Sequence, residues 1–177
     1  REYPVERLYR DNRLNHIHEG TWGIQGIDIL GRKVQMHNGA AVAVLREEIQ
    51  DTIGAAADMS DLAGYCTQLE DALAQIEATV KTVSDASDPA LSLANATIFL
   101  DAMGHIVIAW MWLKQAVAAT RGLGQGNVAD EAFYQGKLAA TQFFFRYELP
   151  KTNASLTLVA DLDSTCYDLS VDQFTGS

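Results

Sequence analysis

The sequence predicts an all-α protein, a helical bundle in which no strand is convincing. Only three of the 177 residues are proline, and 48% are hydrophobic, which is enough to build a sizeable core. Apolar residues recur every three or four positions, the spacing that places them on one face of a helix. Typical helix-start pairs, such as Asp88 followed by Pro89, precede the periodic runs.

The first third of the chain predicts two helices separated by a short turn. Pro4 suits the first position of a helix that ends near Leu14, because its fixed φ and missing N–H cost nothing there. Residues 15 to 20 form the turn. A second helix begins after Thr21, and its apolar positions continue at helical spacing to Ile53, which predicts one long continuous helix.

The next run of apolar residues predicts a bundle helix. From Leu62 to Val83 the apolar positions alternate steps of four and three, as they do along the seam of a bundle. Ser60 is the expected cap of this helix. A further helix, about 32 residues long, is predicted from Asp88–Pro89 to the glycines at 122 and 124.

The last long helix is predicted from about Val128 to Tyr147, with Asn127 before it and Pro150 as its stop. Residues 153 to 177 alternate polar and small apolar residues without a clear period, so an irregular tail with room for a short helix is expected. Several large side chains of this half are predicted to pack in the core: His105, Trp110, Trp112, Phe133, Phe144 and Phe145.

The charge of the chain is unevenly distributed. Residues 1 to 46 hold seven Lys and Arg against five Asp and Glu, whereas residues 47 to 177 hold six against eighteen. This change predicts two domains, 1–46 and 47–177. The acidic part would repel a phosphate backbone, so nucleic-acid binding is not expected, whereas the basic part suits an anionic cofactor or coenzyme A.

Neither a membrane span nor a disulfide is expected. The longest unbroken apolar run, Ile106 to Leu113, has eight residues, against the roughly 20 that a bilayer requires. Cys66 and Cys166 stand a hundred residues apart in an unpatterned context, which is typical of reduced thiols in a cytosolic protein.

Residues 17 to 25, Ile-His-Glu-Gly-Thr-Trp-Gly-Ile-Gln, form the most informative segment. They place one carboxylate, Glu19, in a glycine-bearing turn between two helical patterns. Gly20 allows the backbone to approach a ligand closely, and Thr21 is a natural cap for the following helix.

Four short motifs, Tyr-Pro-Val-Glu-Arg-Leu at 3–8, Glu-Gly-Thr at 19–21, Gly-Ile-Gln at 23–25 and Leu-Gly-Arg-Lys at 30–33, occur together. Because these four motifs occur in this order, the chain resembles the C-terminal helical domain of the FAD-dependent acyl-CoA dehydrogenases. Beyond residue 46, and notably in the run from Phe143 to Pro150, it resembles the helical extension of a bacterial subgroup that includes the 3-methylmercaptopropionyl-CoA dehydrogenases.

The resemblance assigns a role to each residue of the turn. Glu19 would be the catalytic base that removes the α-proton of an acyl-CoA thioester while the β-hydride passes to the flavin, and its backbone N–H would help hold the thioester oxygen. His18 and Gly20 would contact the substrate. The residues assigned to FAD are Thr21, Trp22, Gly23 and Gln25, because helix N-termini favour phosphate groups.

Two positions depart from the family pattern, which has Tyr where this chain has His18 and Asn or Ser where it has Trp22. Both departures leave the substrate preference open. His16, His18 and Glu19 could suggest a metal site, but adjacent turn positions rarely converge on one ion and no further ligand stands at a suitable spacing, so no metal is expected.

The resemblance implies an enzyme of fatty-acid β-oxidation that forms trans-2-enoyl-CoA. Its implied partners are acyl-CoA, electron-transfer flavoprotein and further copies of itself in a dimer or tetramer, in a bacterial cytoplasm. The chain would be the C-terminal fragment of this enzyme and inactive alone. Two alternatives remain: an acyl-CoA oxidase that uses oxygen as acceptor, and a non-catalytic helical assembly module.

Overall fold

The computed structural model describes residues 5–14, 21–126 and 130–175. Within these ranges the chain forms nine α-helices and contains no strand, so the predicted all-α fold is confirmed. The helices are α1 (Val5–Asn12), α2 (Thr21–Asp28), α3 (Met36–Ala55), α4 (Ala63–Asp85), α5 (Pro89–Leu93), α6 (Ala96–Gly124), α7 (Glu131–Phe143), α8 (Lys151–Ala160) and α9 (Val171–Thr175). A π-helical turn extends α2 over Ile29–Lys33 and another extends α7 over Phe144–Glu148.

Helix α6 lies at the centre of the bundle and packs against α2, α3, α4, α7 and α8. Half of its ten buried residues are alanine, and these short side chains let neighbouring backbones come close. The approach is closest at Gly122, where a Cβ atom would overlap the ring of Tyr134 on α7. The core of the protein therefore surrounds this one helix.

By length and composition alone, α6 could also cross a membrane. A long core helix of a bundle meets the same criteria. In the structure, large side chains such as Phe99, Ile106 and Leu113 are fully buried against the other helices, whereas Ile108 and Met111 remain exposed. The contacts of α6 are those of a bundle helix.

The predicted seam of α4 is observed. Cys66, Leu69, Leu73 and Ile76 are buried on one face of the helix, which packs against α6 and α8. The predicted cap is wrong: Ser60 begins a 3-10 turn over Ser60–Leu62, and its side chain caps no backbone N–H of α4. Because this 3-10 turn precedes the α-helix, the Ser60 hydroxyl lies too many residues before the first turn of α4 to reach its N–H groups.

The long continuous helix predicted after Thr21 is broken. Residues 29–33 are π-helical, and His37, Asn38 and Gly39 have φ angles of 50°, 56° and 82°, in the left-handed region. Asn and Gly tolerate this conformation better than other residues, so the Asn-Gly pair permits the sharp change of direction inside α3. The chain therefore turns before the regular part of α3 begins.

The helix predicted from Asp88 to Gly124 is divided in two. The cap itself is confirmed, because the Asp88 carboxylate accepts the N–H of Ala90 at 2.9 Å. Helix α5 ends at Leu93, however, and α6 begins at Ala96. Between them, buried Asn95 donates its side-chain N–H to the carbonyl oxygen of Asp163 at 2.8 Å, a tertiary bond that periodicity does not reveal.

The irregular tail predicted from residue 153 is wrong for its first part. Pro150 separates the π-helical turn from α8, but α8 follows immediately and packs against α4 and α6. Thr152, Leu156 and Val159 are buried on its inner face, at steps of four and three. The preceding helix is described from Glu131, so its predicted start at Asn127 and Val128 lies outside the described residues.

Among the predicted core aromatic residues, Phe145 is fully buried and its ring centroid lies 4.8 Å from that of Tyr65. Phe144 and Trp112 are partly buried. Trp110 is partly buried too, and its indole N–H donates to Thr52 Oγ1 at 2.7 Å. Phe133 was predicted to pack, but it is 61% exposed in the first turn of α7, where its ring centroid lies 5.7 Å from that of Tyr134.

His105 also differs from its prediction as a core histidine. Its side chain is 39% exposed, and Nδ1 lies 2.9 Å from the carbonyl oxygen of Asp101, one turn earlier. The imidazole sits at the edge of the α6–α7 contact, beside the ring of Phe144.

We predict that Phe145→Ala lowers the free energy of unfolding by about 3 to 5 kcal/mol, because it leaves a cavity at a fully buried position. Phe133→Ala is the matched control and should cost less than about 1 kcal/mol. Chemical denaturation of both variants measures the difference. Equal losses would contradict the observed packing of these two rings.

The two cysteines are both free thiols with different surroundings. Burial, and secondarily the charge of Glu70, raises the pKa of the Cys66 thiol, whereas Cys166 is exposed. We predict that iodoacetamide at pH 8 modifies Cys66 more than about ten times slower than Cys166. Mass spectrometry of the peptides measures both rates, with denatured protein as the control in which the rates converge. Comparable rates in the native protein would show that Cys66 is accessible.

Candidate functional site

The predicted site lies at the junction between α1 and α2. Its central residues, His16, His18, Glu19 and Gly20, fall within residues 15–20 and so lie outside the described residues. The described part of the site is the end of α1 and the whole of α2. Among the described residues, no group of three His, Cys, Asp or Glu side chains is placed to hold a metal ion.

The first turns of α2 carry the four residues assigned to a cofactor: Thr21, Trp22, Gly23 and Gln25. The structure brings all four together at one end of one helix. Trp22 is 56% exposed, Gln25 is exposed, and a Cβ atom added at Gly23 would meet nothing within 4 Å. Within the described residues, this end of α2 is open to a ligand or to another part of a larger protein.

The electrostatics of α2 suit an anionic group at its N-terminal end. The first turn contains no acidic residue, and its N–H groups and the positive end of the helix dipole point toward that end. A pyrophosphate such as that of FAD fits this donor set. The open position at Gly23 leaves room for its approach.

The acidic residue of α2 is at the opposite end and is paired. Asp28 lies seven residues beyond Thr21, about 10 Å along the helix axis. It accepts a hydrogen bond from Arg32 Nε at 2.5 Å, and this guanidinium lowers the pKa of the Asp28 carboxyl. The negative charge at this end of α2 is therefore balanced within the helix and its π-helical extension.

Helix α2 is anchored at a residue that the sequence reasoning did not single out. Gly26 is its buried residue, and it lies directly against the backbone of Ala96 at the start of α6. A glycine inside a helical pattern is the signal that could have revealed it, because such glycines often mark close packing of two backbones. Leu30, in the π-helical turn, is fully buried and secures the other end.

Exposed apolar side chains flank residues 15–20 on both sides. Helix α1 buries no residue, and Val5, Leu8 and Tyr9 are each more than half exposed. On α2, Ile24 and Ile27 are exposed as well. Clusters of exposed apolar side chains are typical of interaction sites.

Comparison with known proteins identifies the family. A family model described as acetyl-CoA dehydrogenase C-terminal like matches residues 45–170, well over half of the chain. The chain is 28% identical to the broad-specificity linear acyl-CoA dehydrogenase FadE5 of Mycobacterium tuberculosis, over 98% of this chain and 30% of that protein.

Two further relatives give the same result. The 3-methylmercaptopropionyl-CoA dehydrogenase of Ruegeria pomeroyi is 30% identical over 90% of this chain and 27% of its own length. A butyryl-CoA dehydrogenase of Syntrophomonas wolfei is 27% identical over 98% of this chain and 29% of its own length. The chain thus spans less than a third of the relatives it matches. With most of its length matched to the family's C-terminal model and to these dehydrogenases, the chain belongs to the acyl-CoA dehydrogenase family.

Proposed function

We propose that this chain is the C-terminal part of an FAD-dependent acyl-CoA dehydrogenase that forms trans-2-enoyl-CoA, with Glu19 as the base that removes the substrate's α-proton. The observation that carries the proposal is the first turn of α2, which contains no acidic residue, has open space at Gly23 and directly follows the Glu-Gly pair in a chain of this family. Glu19 precedes Thr21 by two residues, a span of at most about 7 Å of extended chain. A cofactor held at the first turn of α2 would therefore be within reach of the carboxylate.

The chemistry needs a carboxylate in this place. The α-proton of a thioester is weakly acidic, so its removal requires a base held against it and donors for the charge that develops on the thioester oxygen. Glu19 supplies the base, and its backbone N–H is one of those donors. His18 and Gly20 contact the substrate. FAD, when bound, accepts the β-hydride. The backbone N–H groups of Thr21, Trp22 and Gly23 would hold its pyrophosphate, with Gln25 as a further polar contact.

We also propose the division of the chain into residues 1–46, the end of the family's helical domain, and residues 47–177, a helical extension. The change in charge at residue 46 supports this division, although it falls within α3. Arg46 joins the two parts, because its Nε and one terminal nitrogen each donate to the Glu77 carboxylate on α4 at 2.6 Å. The extension would therefore be fixed to the part that carries the base.

The remaining parts of the proposal concern the whole enzyme. The relatives act on linear acyl-CoA, 3-methylmercaptopropionyl-CoA and butyryl-CoA according to their names, so the substrate class proposed here is an acyl-CoA thioester. Electron-transfer flavoprotein is the proposed acceptor, and the enzyme would work as a dimer or tetramer in a bacterial cytoplasm. The fragment alone would be inactive.

We predict that Glu19→Gln in the full-length flavoprotein slows flavin bleaching by acyl-CoA by about 100- to 10,000-fold, because the amide cannot accept the α-proton. The yellow colour and the folding transition should be retained. Stopped-flow absorbance at the flavin band measures the rate. Glu47→Gln, at an exposed position on α3, is the matched control and should bleach at the wild-type rate. Unchanged bleaching in Glu19→Gln would eliminate the base assignment.

We predict that the reduced enzyme passes electrons to an artificial dye acceptor much faster than to oxygen. The relatives are dehydrogenases by name, which supports an acceptor other than oxygen. Turnover with dye under nitrogen, compared with peroxide formation in air, measures the preference. Faster turnover with oxygen would favour the oxidase.

A full-length protein that purifies colourless and cannot be reconstituted with FAD would favour the assembly module.

A further inference from the structure

We propose that Gly26 is a positioning residue: its contact with the start of α6 sets the position of the helix end that carries Thr21 and follows Glu19. This inference rests on the proposed function and adds a role for the C-terminal extension in it. Neither the family pattern of the turn nor the assigned site residues include Gly26.

The contact at Gly26 is made between two backbones. A Cβ atom at this position would lie 2.8 Å from the carbonyl oxygen of Ala96, 2.9 Å from its carbonyl carbon and 3.0 Å from the nitrogen of Thr97. These atoms cannot rotate away as the end of a side chain can. Gly31 offers the contrast, because a Cβ there would meet the flexible side chain of Leu93 at 3.1 Å. A larger residue at 26 therefore requires one of the two helices to move.

The start of α6 is held firmly. Ala96 and Phe99 are buried in the core, and Asn95 is tied to the carbonyl oxygen of Asp163 at 2.8 Å, in the segment that follows α8. Near the N-terminal end of α2, by contrast, Trp22, Ile24 and Gln25 are exposed rather than packed in the core. A side chain at position 26 would therefore displace α2 rather than α6.

The displacement would be largest where the proposed chemistry takes place. The far end of α2 is secured by fully buried Leu30 and by buried Val34. Pushing α2 away at Gly26 would tilt its N-terminal end, five residues and about 7.5 Å away at Thr21. A shift of about 1 Å in a reacting group can cost about 100-fold in rate. In this way the helical extension would adjust the geometry of the base without touching the substrate.

The test uses the full-length flavoprotein with Gly26→Ala and Gly26→Val. The matched controls are Gly104→Ala and Gly104→Val, because Gly104 is also inside a helix and a Cβ there would meet nothing within 4 Å. Two readouts are taken: hydrogen–deuterium exchange of the amides of residues 21–28, and the maximal rate of flavin reduction by saturating acyl-CoA, normalised to bound FAD. The amide exchange rate reports whether the contact between Gly26 and Ala96 is intact, and this readout does not depend on enzyme activity.

We expect amide exchange in α2 to speed up in both Gly26 variants and to stay unchanged in both Gly104 variants. The maximal reduction rate should fall several-fold in Gly26→Ala and by about 100-fold in Gly26→Val, with reduction of the bound flavin by dithionite unaffected. Should Gly26→Val fail to fold, Gly26→Ala decides alone. Unchanged exchange, or faster exchange with an unchanged reduction rate, would overturn the positioning role.

Flavin reduction in the wild-type protein distinguishes failure of the proposed function from failure of the positioning role. If no acyl-CoA thioester reduces the wild-type flavin, the proposed function fails and the positioning role fails with it. If the wild-type flavin is reduced and the Gly26 variants are reduced at the same rate, only the positioning role is overturned.

Discussion

The close packing of neighbouring helices on α6 is the constraint on which the rest of the structure depends. Each helix that contributes to the core packs against α6, and α6 admits them because alanine recurs among its buried residues. Short side chains bring helix axes together, which increases the dispersion contacts of the larger residues between them. Phe99, Ile106 and Leu113 fill the remaining space and are fully buried. A larger residue at an alanine position would push one of the neighbouring helices away.

This packing has a direct consequence for the candidate site. Helix α2 is fixed to α6 at Gly26 and at Leu30, whereas its first turns are left open. One end of the helix belongs to the core, and most side chains near the other end are exposed. The same division applies to the surface around α1, whose apolar residues are not buried by the described part of the chain. The relatives are more than three times as long as the matched region.

The sequence predicted most helices, but it did not predict where they break or which way they face. The run from Thr21 to Ile53 has helical spacing throughout, yet three left-handed residues at His37–Gly39 interrupt it, because a turn there allows both segments to reach α6. The division at Asn95 depends on a bond to Asp163, 68 residues away. Helix α8 was overlooked because its apolar positions are few, although Thr152, Leu156 and Val159 do follow a helical period. Phe133 and Phe145 belong to one continuous helical pattern, and only packing places the first at the surface and the second in the core.

By itself the sequence determined the helical character of the chain, the seam of α4, the Asp88 cap and the family. These features are local: helix periodicity, capping and short motifs are carried by residues within a few positions of one another. The tertiary structure alone decided that α6 is the centre, that Gly26 touches Ala96 and that the first turns of α2 remain open. Such contacts join residues far apart in the chain, and they depend on how the volumes of all the helices fill one core, which no single segment encodes.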